Sequence, residues 1–257
     1  MNPSTMDAIA QRVKATAPER DRVRSLVAEG RWREAEDNIV RAKAYADRTA
    51  LPARNRAETI VGDTEDFQRT SFLSLGARSS RAVAYVEVNY GATSELGTGF
   101  LISEALFITN QHVIKNADAA RGAQITFDRE LGDDGRFKAP TTYLLDPDRF
   151  ALFSMEDQLD YAVIALGERR SGSATPAELG FMPLSNTPDR HQLGMNCNIV
   201  QHPGGLPKMI AVRNNTLTAR TPHTLLYETD TDNGSSGSPV LNDNWELIAL
   251  HHWGQPN

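Results

Sequence analysis

A single cysteine, Cys197, stands in 257 residues. No intrachain disulfide can form, which excludes a disulfide-stapled secreted fold and makes a reducing compartment acceptable. No apolar run approaches the ~20 residues that cross a bilayer. The opening MNPSTMDAIAQRVKA lacks the apolar core of a signal peptide. The expectation is a cytoplasmic chain with no membrane partner. Positive charge is also short: 27 Lys and Arg against 33 Asp and Glu give a net charge of −6. That sign is wrong for a phosphate-binding surface, so no nucleic-acid partner is expected. What remains is 40% hydrophobic and 23% charged. Such a composition excludes a wholly disordered chain and allows one large domain or two smaller ones.

The charge is uneven. Residues 1–60 hold 12 Lys/Arg against 9 Asp/Glu, and the rest of the chain holds 15 against 24. A shift from basic to acidic marks a change of domain. The first segment reads as helical. Ser4 and Thr5 can cap a helix over 4–15, and Pro18 with Gly30 brackets a second over 18–29. Trp32, Ala35, Ile39, Ala42 and Ala46 fall on one face of a third. Residues 1–60 are therefore expected to be a helical adaptor or regulatory region, with a regulatory protein as its possible partner. Pro52, Gly62-Asp-Thr64 and Ser71-Phe-Leu-Ser-Leu-Gly76 alternate turn signals with short apolar pieces, so 61–81 reads as a connector.

From residue 82 the texture changes. Ala82–Val88, Gly99–Ser103, Leu106–Thr109, Gln124–Phe127, Tyr161–Leu166, Asn196–Gln201, Ile210–Ala219, Leu225–Thr229, Pro239–Leu241 and Leu247–His252 are short runs of β-formers. Turn residues divide them, including a loop bracketed by Gly91 and Gly97. Short, frequent strands predict antiparallel barrels or sandwiches.

Three motifs lie on these strands in order. Gly97-Thr-Gly-Phe-Leu-Ile-Ser is followed by Phe107-Ile-Thr-Asn-Gln-His112-Val. Asp160-Tyr-Ala-Val-Ile-Ala-Leu166 comes next, and Gly234-Ser-Ser236-Gly-Ser-Pro-Val240 last. Over roughly residues 82–257 the chain resembles the trypsin/chymotrypsin-like serine peptidases, nearest the bacterial branch that includes the glutamyl endopeptidases. The resemblance implies a mainly β fold: a double antiparallel β-barrel, one barrel over 82–170 and one over 171–257, behind the N-terminal α-helical region.

It also implies a triad of His112, Asp160 and Ser236. A serine hydroxyl is a poor nucleophile near neutral pH and needs a base within hydrogen-bond reach. His112 would supply that base, Asp160 would fix its tautomer and orientation, and Ser236 would attack the scissile carbonyl. The amides of Gly234 and Ser236 would form the oxyanion hole, and Gly237 would leave room behind the nucleophile. Asp157 and Ser235 compete for two of these places. The apolar run directly after Asp160 and the Gly-x-Ser-Gly frame decide against them. His191, His202 and His223 have no partner motif and read as structural. No cluster has metal-ligand spacing, so neither metal nor cofactor is expected.

Substrate selection is left open by the residues. Asp230, six before Ser236, is where trypsin-like enzymes place the carboxylate that binds Arg or Lys. Thr231 with His251 or His252 resembles the glutamyl-peptidase arrangement that receives an acidic side chain. The edge His252-Trp253-Gly254 is expected to pair with substrate backbone as an added strand.

Two departures from the family stand out. Ser235 replaces the Asp that would pair with a freed N-terminus, so control by the helical region, through partner docking or a loop rearrangement, is expected instead. After Gly254 only Gln-Pro-Asn follows, so the second barrel is expected to lack its last strand, as in a truncated piece. The functional expectation is a cytoplasmic, cofactor-free serine endopeptidase acting on protein or peptide substrates. Its architecture suggests a bacterial defence or signalling proteolysis system. The rival is a non-catalytic, protease-like module that binds a peptide or partner.

Overall fold

The computed structural model describes residues 3–49, 68–91 and 93–254. Helices α1 (Pro3–Ala15), α2 (Ala17–Ala28), α3 (Ile39–Thr49) and α4 (Ser71–Arg81) come first. Helix α2 has its proline in the first turn, and Gly30 follows it at φ +71°, the left-handed conformation that stops a helix. The continuous third helix expected over residues 32–46 is corrected: one 3-10 turn spans Trp32–Glu34, and α3 begins only at Ile39. Asn38 restarts the helix, its Oδ1 accepting the Arg41 amide at 3.1 Å. The face rotates accordingly, leaving Ile39 82% exposed while Ala35 and Tyr45 are buried.

Residues 71–81, read as the end of a connector, form α4 because packing overrides the turn signals. Phe72 lies 5.0 Å from the Trp245 ring. A Cβ on Gly76 would stand 2.5 Å from the same indole, so glycine lets the helix lie against it. The turn signals at Pro52 and Gly62–Thr64, and the final Gln-Pro-Asn, lie outside the described residues.

The first β unit closes. Strands β1 (Val83–Asn89), β2 (Ser94–Ser103), β3 (Leu106–Thr109), β4 (Gln124–Phe127), β5 (Thr141–Ser154) and β6 (Tyr161–Ser171) form an antiparallel barrel in the order β1-β2-β3-β6-β5-β4. Strand β4 returns to β1 with Ala84 opposite Phe127. Phe100, Phe107, Ile125, Phe127 and Ile164 fill the interior.

Strands β3 and β4 occupy the residues expected. Strand β2 starts earlier than expected and absorbs Gly97. A Cβ there would stand 2.8 Å from Val113. Strand β5 is absent from the sequence reading, and Asp146-Pro-Asp148 interrupts its run of β-formers. In fact only the register breaks, between Asp146 and Ala151, and pairing with β6 then resumes.

The second half contains β7 (Asn198–Gln201), β8 (Met209–Ala211), β9 (Leu217–Arg220), β10 (Leu225–Tyr227), β11 (Pro239–Leu241) and β12 (Leu247–Leu250). They form a four-stranded sheet, β12-β11-β7-β8, and a β10-β9 pair, bridged between Asn196 and Thr216. Among the described residues these sheets do not close into a barrel. The single strand expected over 210–219 is corrected to two. Asn214, at φ +52°, turns the chain, and Asn215 accepts the Cys197 amide through its carbonyl.

The N-terminal helices supply part of this half's core. Val23, Ala35 and Tyr45 lie in one buried cluster with Leu193, Met195, Cys197, Ile199, Leu217 and Val240. A buried ion pair reinforces the contact. Arg220 of β9 donates to both oxygens of Glu36, at 2.8 and 3.0 Å, and the Leu193 amide donates to Glu36 at 3.2 Å. Burial alone would raise the Glu36 pKa, but these bonds and the Arg220 charge hold it below the usual carboxylate range. Removing one partner of a buried pair strands the other. Glu36→Ala should therefore cost about 3 kcal/mol in urea unfolding. A loss under ~1 kcal/mol would place the pair with ordinary surface bridges instead.

Candidate active site

Strand pairing brings His112 to Asp160. Thr109, the last residue of β3, is opposite Ala162 near the start of β6. The residues just past β3 therefore face those just before β6. His112 Nδ1 lies 2.6 Å from Asp160 Oδ2, and the His112 amide donates to Asp160 Oδ1 at 2.9 Å.

Asp160 is itself held on its backbone. Its carbonyl accepts from Asn110 Nδ2 at 2.8 Å and its amide donates to the Met155 carbonyl at 3.1 Å. Its φ is +48°, a left-handed conformation that Asp tolerates better than most residues and that recurs at functional sites. The side chain is 1% exposed. Burial alone would raise its pKa. The donors and charges of His112 and His252 outweigh that and bring it down to about 2, so the carboxylate stays ionised.

The Ser236 loop is clamped from the first barrel. Thr98 of β2 donates its amide to the Ser236 carbonyl at 2.8 Å and its hydroxyl to the Gly234 carbonyl at 2.7 Å. Thr98 itself accepts from the Thr109 hydroxyl at 2.7 Å. Gly234 and Gly237 have φ of +91° and +87°. A Cβ on Gly237 would stand 2.0 Å from the Thr98 carbonyl, so only glycine fits there. Among the described residues, the amides of Gly234 and Ser236 donate to no protein group and the Ser236 hydroxyl makes no hydrogen bond. Ser236 is half-buried and lines one cleft with His112. Ser235, its rival in sequence, is buried with Oγ accepting the Asp232 amide at 3.1 Å. Asp157 lines the cleft as an exposed residue.

The substrate-binding candidates divide. Asp230, Thr231, His251, His252, Trp253 and Gly254 all line the cleft. Asp230 is exposed, and its carbonyl accepts from Gln201 at 2.9 Å. Thr231 and Gly254 adjoin: a Cβ on Gly254 would stand 2.9 Å from the Thr231 hydroxyl. His251 is pinned inside. Its backbone exchanges hydrogen bonds with Ser238 and Gly237 at 2.8 and 2.9 Å, and its ring meets the Tyr227 hydroxyl at 2.7 Å. Burial, then the charges of His252 and His112, push its pKa down to about 4. It is therefore neutral near pH 7. His252 turns its Nδ1 to Asp160 Oδ2 at 2.6 Å. Among the described residues the backbone of 252–254 makes no hydrogen bond, so it is open to an added strand.

Neither the Thr98 clamp nor the His252–Asp160 contact was anticipated. The Gly97-Thr-Gly motif signalled the first, and nothing local signalled the second. The histidines outside the site differ in setting. His202 is buried, and burial pushes its pKa down to about 3. His191 is driven down to about 4 by burial and then by Arg41 and Arg220. His223 is exposed. His112, Asp160 and His252 also bring three potential metal-ligand atoms within 4.8 Å of one another. Each ring-to-carboxylate distance is that of a charged hydrogen bond.

A family profile described as "Trypsin-like peptidase domain" matches residues 97–250. The chain belongs to that family. It is 36% identical over 210 residues to an uncharacterized protein, y4fB, of Sinorhizobium fredii, covering 78% of this chain and 32% of that protein. It is 22% identical over 212 residues to a glutamyl endopeptidase of Staphylococcus aureus, covering 80% of this chain and 56% of that one. The chain thus spans about a third of the first relative's length and somewhat over half of the second's. The solved structure of Deg5 shares the fold at a TM-score of 0.52 and 16% identity, over 74% of this chain and 88% of that one.

Proposed function

We propose that this chain is a serine endopeptidase that cleaves protein or peptide substrates through an acyl-enzyme on Ser236. The observation that carries the reading is the His112 Nδ1 to Asp160 Oδ2 contact of 2.6 Å, at a cleft that Ser236 lines. In acylation, His112 Nε2 takes the Ser236 proton as Oγ bonds to the scissile carbonyl carbon. The carbonyl oxygen becomes an oxyanion facing the Gly234 and Ser236 amides. The imidazolium then gives that proton to the departing amine as the C–N bond breaks. In deacylation, water loses a proton to His112 and attacks the ester, and the proton returns to Ser236 Oγ. Asp160, ionised throughout, stabilises the imidazolium.

For the residue before the cut, we propose an acidic side chain. Asp230 is exposed and so lacks the burial that would make it a strong counter-ion for Lys or Arg. Thr231 beside Gly254 offers a hydroxyl at the cleft. The similarity to glutamyl endopeptidases supports the same preference. The regulatory role assigned to the helices is proposed to act from within the fold: Ser4, Thr5, Ala8, Ile9 and Arg12 of α1 line the same cleft as Ser236. A bacterial defence or signalling system in a reducing cytoplasm suits the free, buried Cys197 and remains part of the proposal.

A fluorophosphonate probe tests the nucleophile. It should label the wild type and not Ser236→Ala. A folded wild type that is not labelled would favour the non-catalytic binding module. Peptide-library profiling should show cuts after Glu or Asp. Cuts after Lys or Arg would return the specificity role to Asp230.

A further inference from the structure

Asp160 carries two imidazoles on one oxygen. His112 Nδ1 and His252 Nδ1 each lie 2.6 Å from Oδ2, while Oδ1 takes the His112 amide at 2.9 Å. The rings meet edge to face with centroids 6.2 Å apart. An ionised carboxylate only accepts hydrogen bonds, so both rings must present Nδ1–H to it. Whenever a ring is neutral, its tautomer is thereby fixed with Nε2 bare. For His112 this is the form that can take a proton from Ser236. For His252 it leaves one ring edge at the cleft, which both histidines line.

The contact also joins the two halves of the molecule. Asp160 and His112 belong to the first barrel. His252 follows β12, and its neighbour His251 is tied through its backbone to Gly237 and Ser238, just past the nucleophile. The His252 ring therefore spans from the segment that holds Ser236 to the carboxylate that orients His112. Thr98 makes the reciprocal tie, from the first barrel to Gly234 and Ser236.

We infer that His252 is a positioning residue: its Nδ1–H holds Asp160 at the angle from which Oδ2 meets His112, without contacting the scissile bond. The inference rests on the peptidase reading of Ser236 and His112. It gives His252 a role distinct from binding the substrate side chain. With His252 removed, Asp160 keeps the His112 amide on Oδ1, but Oδ2 has a single donor and the carboxylate is free to tilt. A hydrogen bond to a charged group, lost where orientation matters, is worth about ten- to a hundredfold in rate.

The test compares full-length wild type with His252→Ala and His252→Asn, whose side-chain amide can place an N–H near the position of Nδ1. Against a short ester substrate, His252→Ala should lower kcat about 10- to 100-fold with KM within about threefold, and His252→Asn should restore most of kcat. If His252→Ala does not fold, His252→Leu against His252→Asn makes the same comparison. Proton NMR is run in the Ser236→Ala background, which needs no turnover. It should show two low-field Nδ1–H resonances, one of which disappears on replacing His252.

An unchanged kcat, a change confined to KM, an Asn variant as slow as the Ala or Leu variant, or a single low-field resonance would each overturn the inference. A wild type with no turnover but both resonances would instead count against the peptidase reading alone, leaving the two-imidazole arrangement standing.

Discussion

Ser236→Ala should lower kcat by about 10⁶-fold while leaving the fold intact. The two halves of that expectation have separate causes. The rate falls because the hydroxyl that forms the ester is gone. The rival Ser235 is buried and spends its hydroxyl on the Asp232 amide. The fold survives because the nucleophile loop is held by its backbone. Thr98 binds the Ser236 and Gly234 carbonyls, and Gly237 donates to the His251 carbonyl. The Ser236 hydroxyl makes none of these bonds. Its loss should shift the unfolding free energy by no more than ~0.5 kcal/mol. A fluorogenic peptide assay beside a urea titration measures both. Equal trace cleavage in wild type and variant would identify a contaminant. A variant retaining a tenth of wild-type kcat would end the assignment of Ser236.

The pairing of His112 with Asp160 was implied by the family resemblance, and the motifs that carry that resemblance are short-range signals. Leu106–Thr109 and the run from Tyr161 read as strands, and the polar residues that end them sit where antiparallel pairing makes them neighbours. The Gly-x-Ser-Gly frame was legible for a similar reason, since a positive φ at Gly234 and Gly237 selects glycine locally. The elements that did not read cleanly are those decided by distant partners. Helix α4 packs Phe72 and Gly76 against Trp245, some 170 positions later. Strand β5 survives Pro147 because β6 resumes pairing beyond it. The expected third helix split at Asn38, a cap whose signal competed with an apolar spacing that looked continuous. The place of Glu36 depends on Arg220, and that of His252 on Asp160. No local pattern encodes a contact between residues 92 apart when neither is required by its own strand. The basic-to-acidic shift near residue 60 was real as charge. It did not reveal that Val23, Ala35 and Tyr45 pack into the second half's core.

Asp160→Asn should lower kcat by about 10⁴-fold with KM little changed. The positive φ of +48° is as acceptable to Asn as to Asp, so the backbone gives no reason for the variant to misfold. The damage lies in donors and acceptors. Residue 160 faces three N–H groups: the His112 amide on one oxygen and two imidazoles on the other. An amide has one acceptor end. If its oxygen stays toward the His112 amide, the NH₂ points at both rings and forces each to carry its proton on Nε2. His112 then cannot accept from Ser236. If the amide turns over, the NH₂ faces the His112 amide, donor against donor, where the bond is now 2.9 Å.

The same site predicts a pH signature in stability. The Asp160 pKa is about 2 in the fold against an ordinary 3.8, so the native state binds its proton less readily than the unfolded chain does. The stabilisation it provides is fully present above pH 4 and is lost as pH falls through 4 toward 2, amounting to ~2 kcal/mol. The side-chain amide of the Asp160→Asn variant cannot titrate. The stability gap between wild type and variant, read by urea unfolding at a series of pH values, should therefore be constant from pH 7 to about 5 and narrow below 4. A gap that widens with acid would mean that the buried carboxylate is held protonated in the fold, and the orienting role assigned to it would fall with that result.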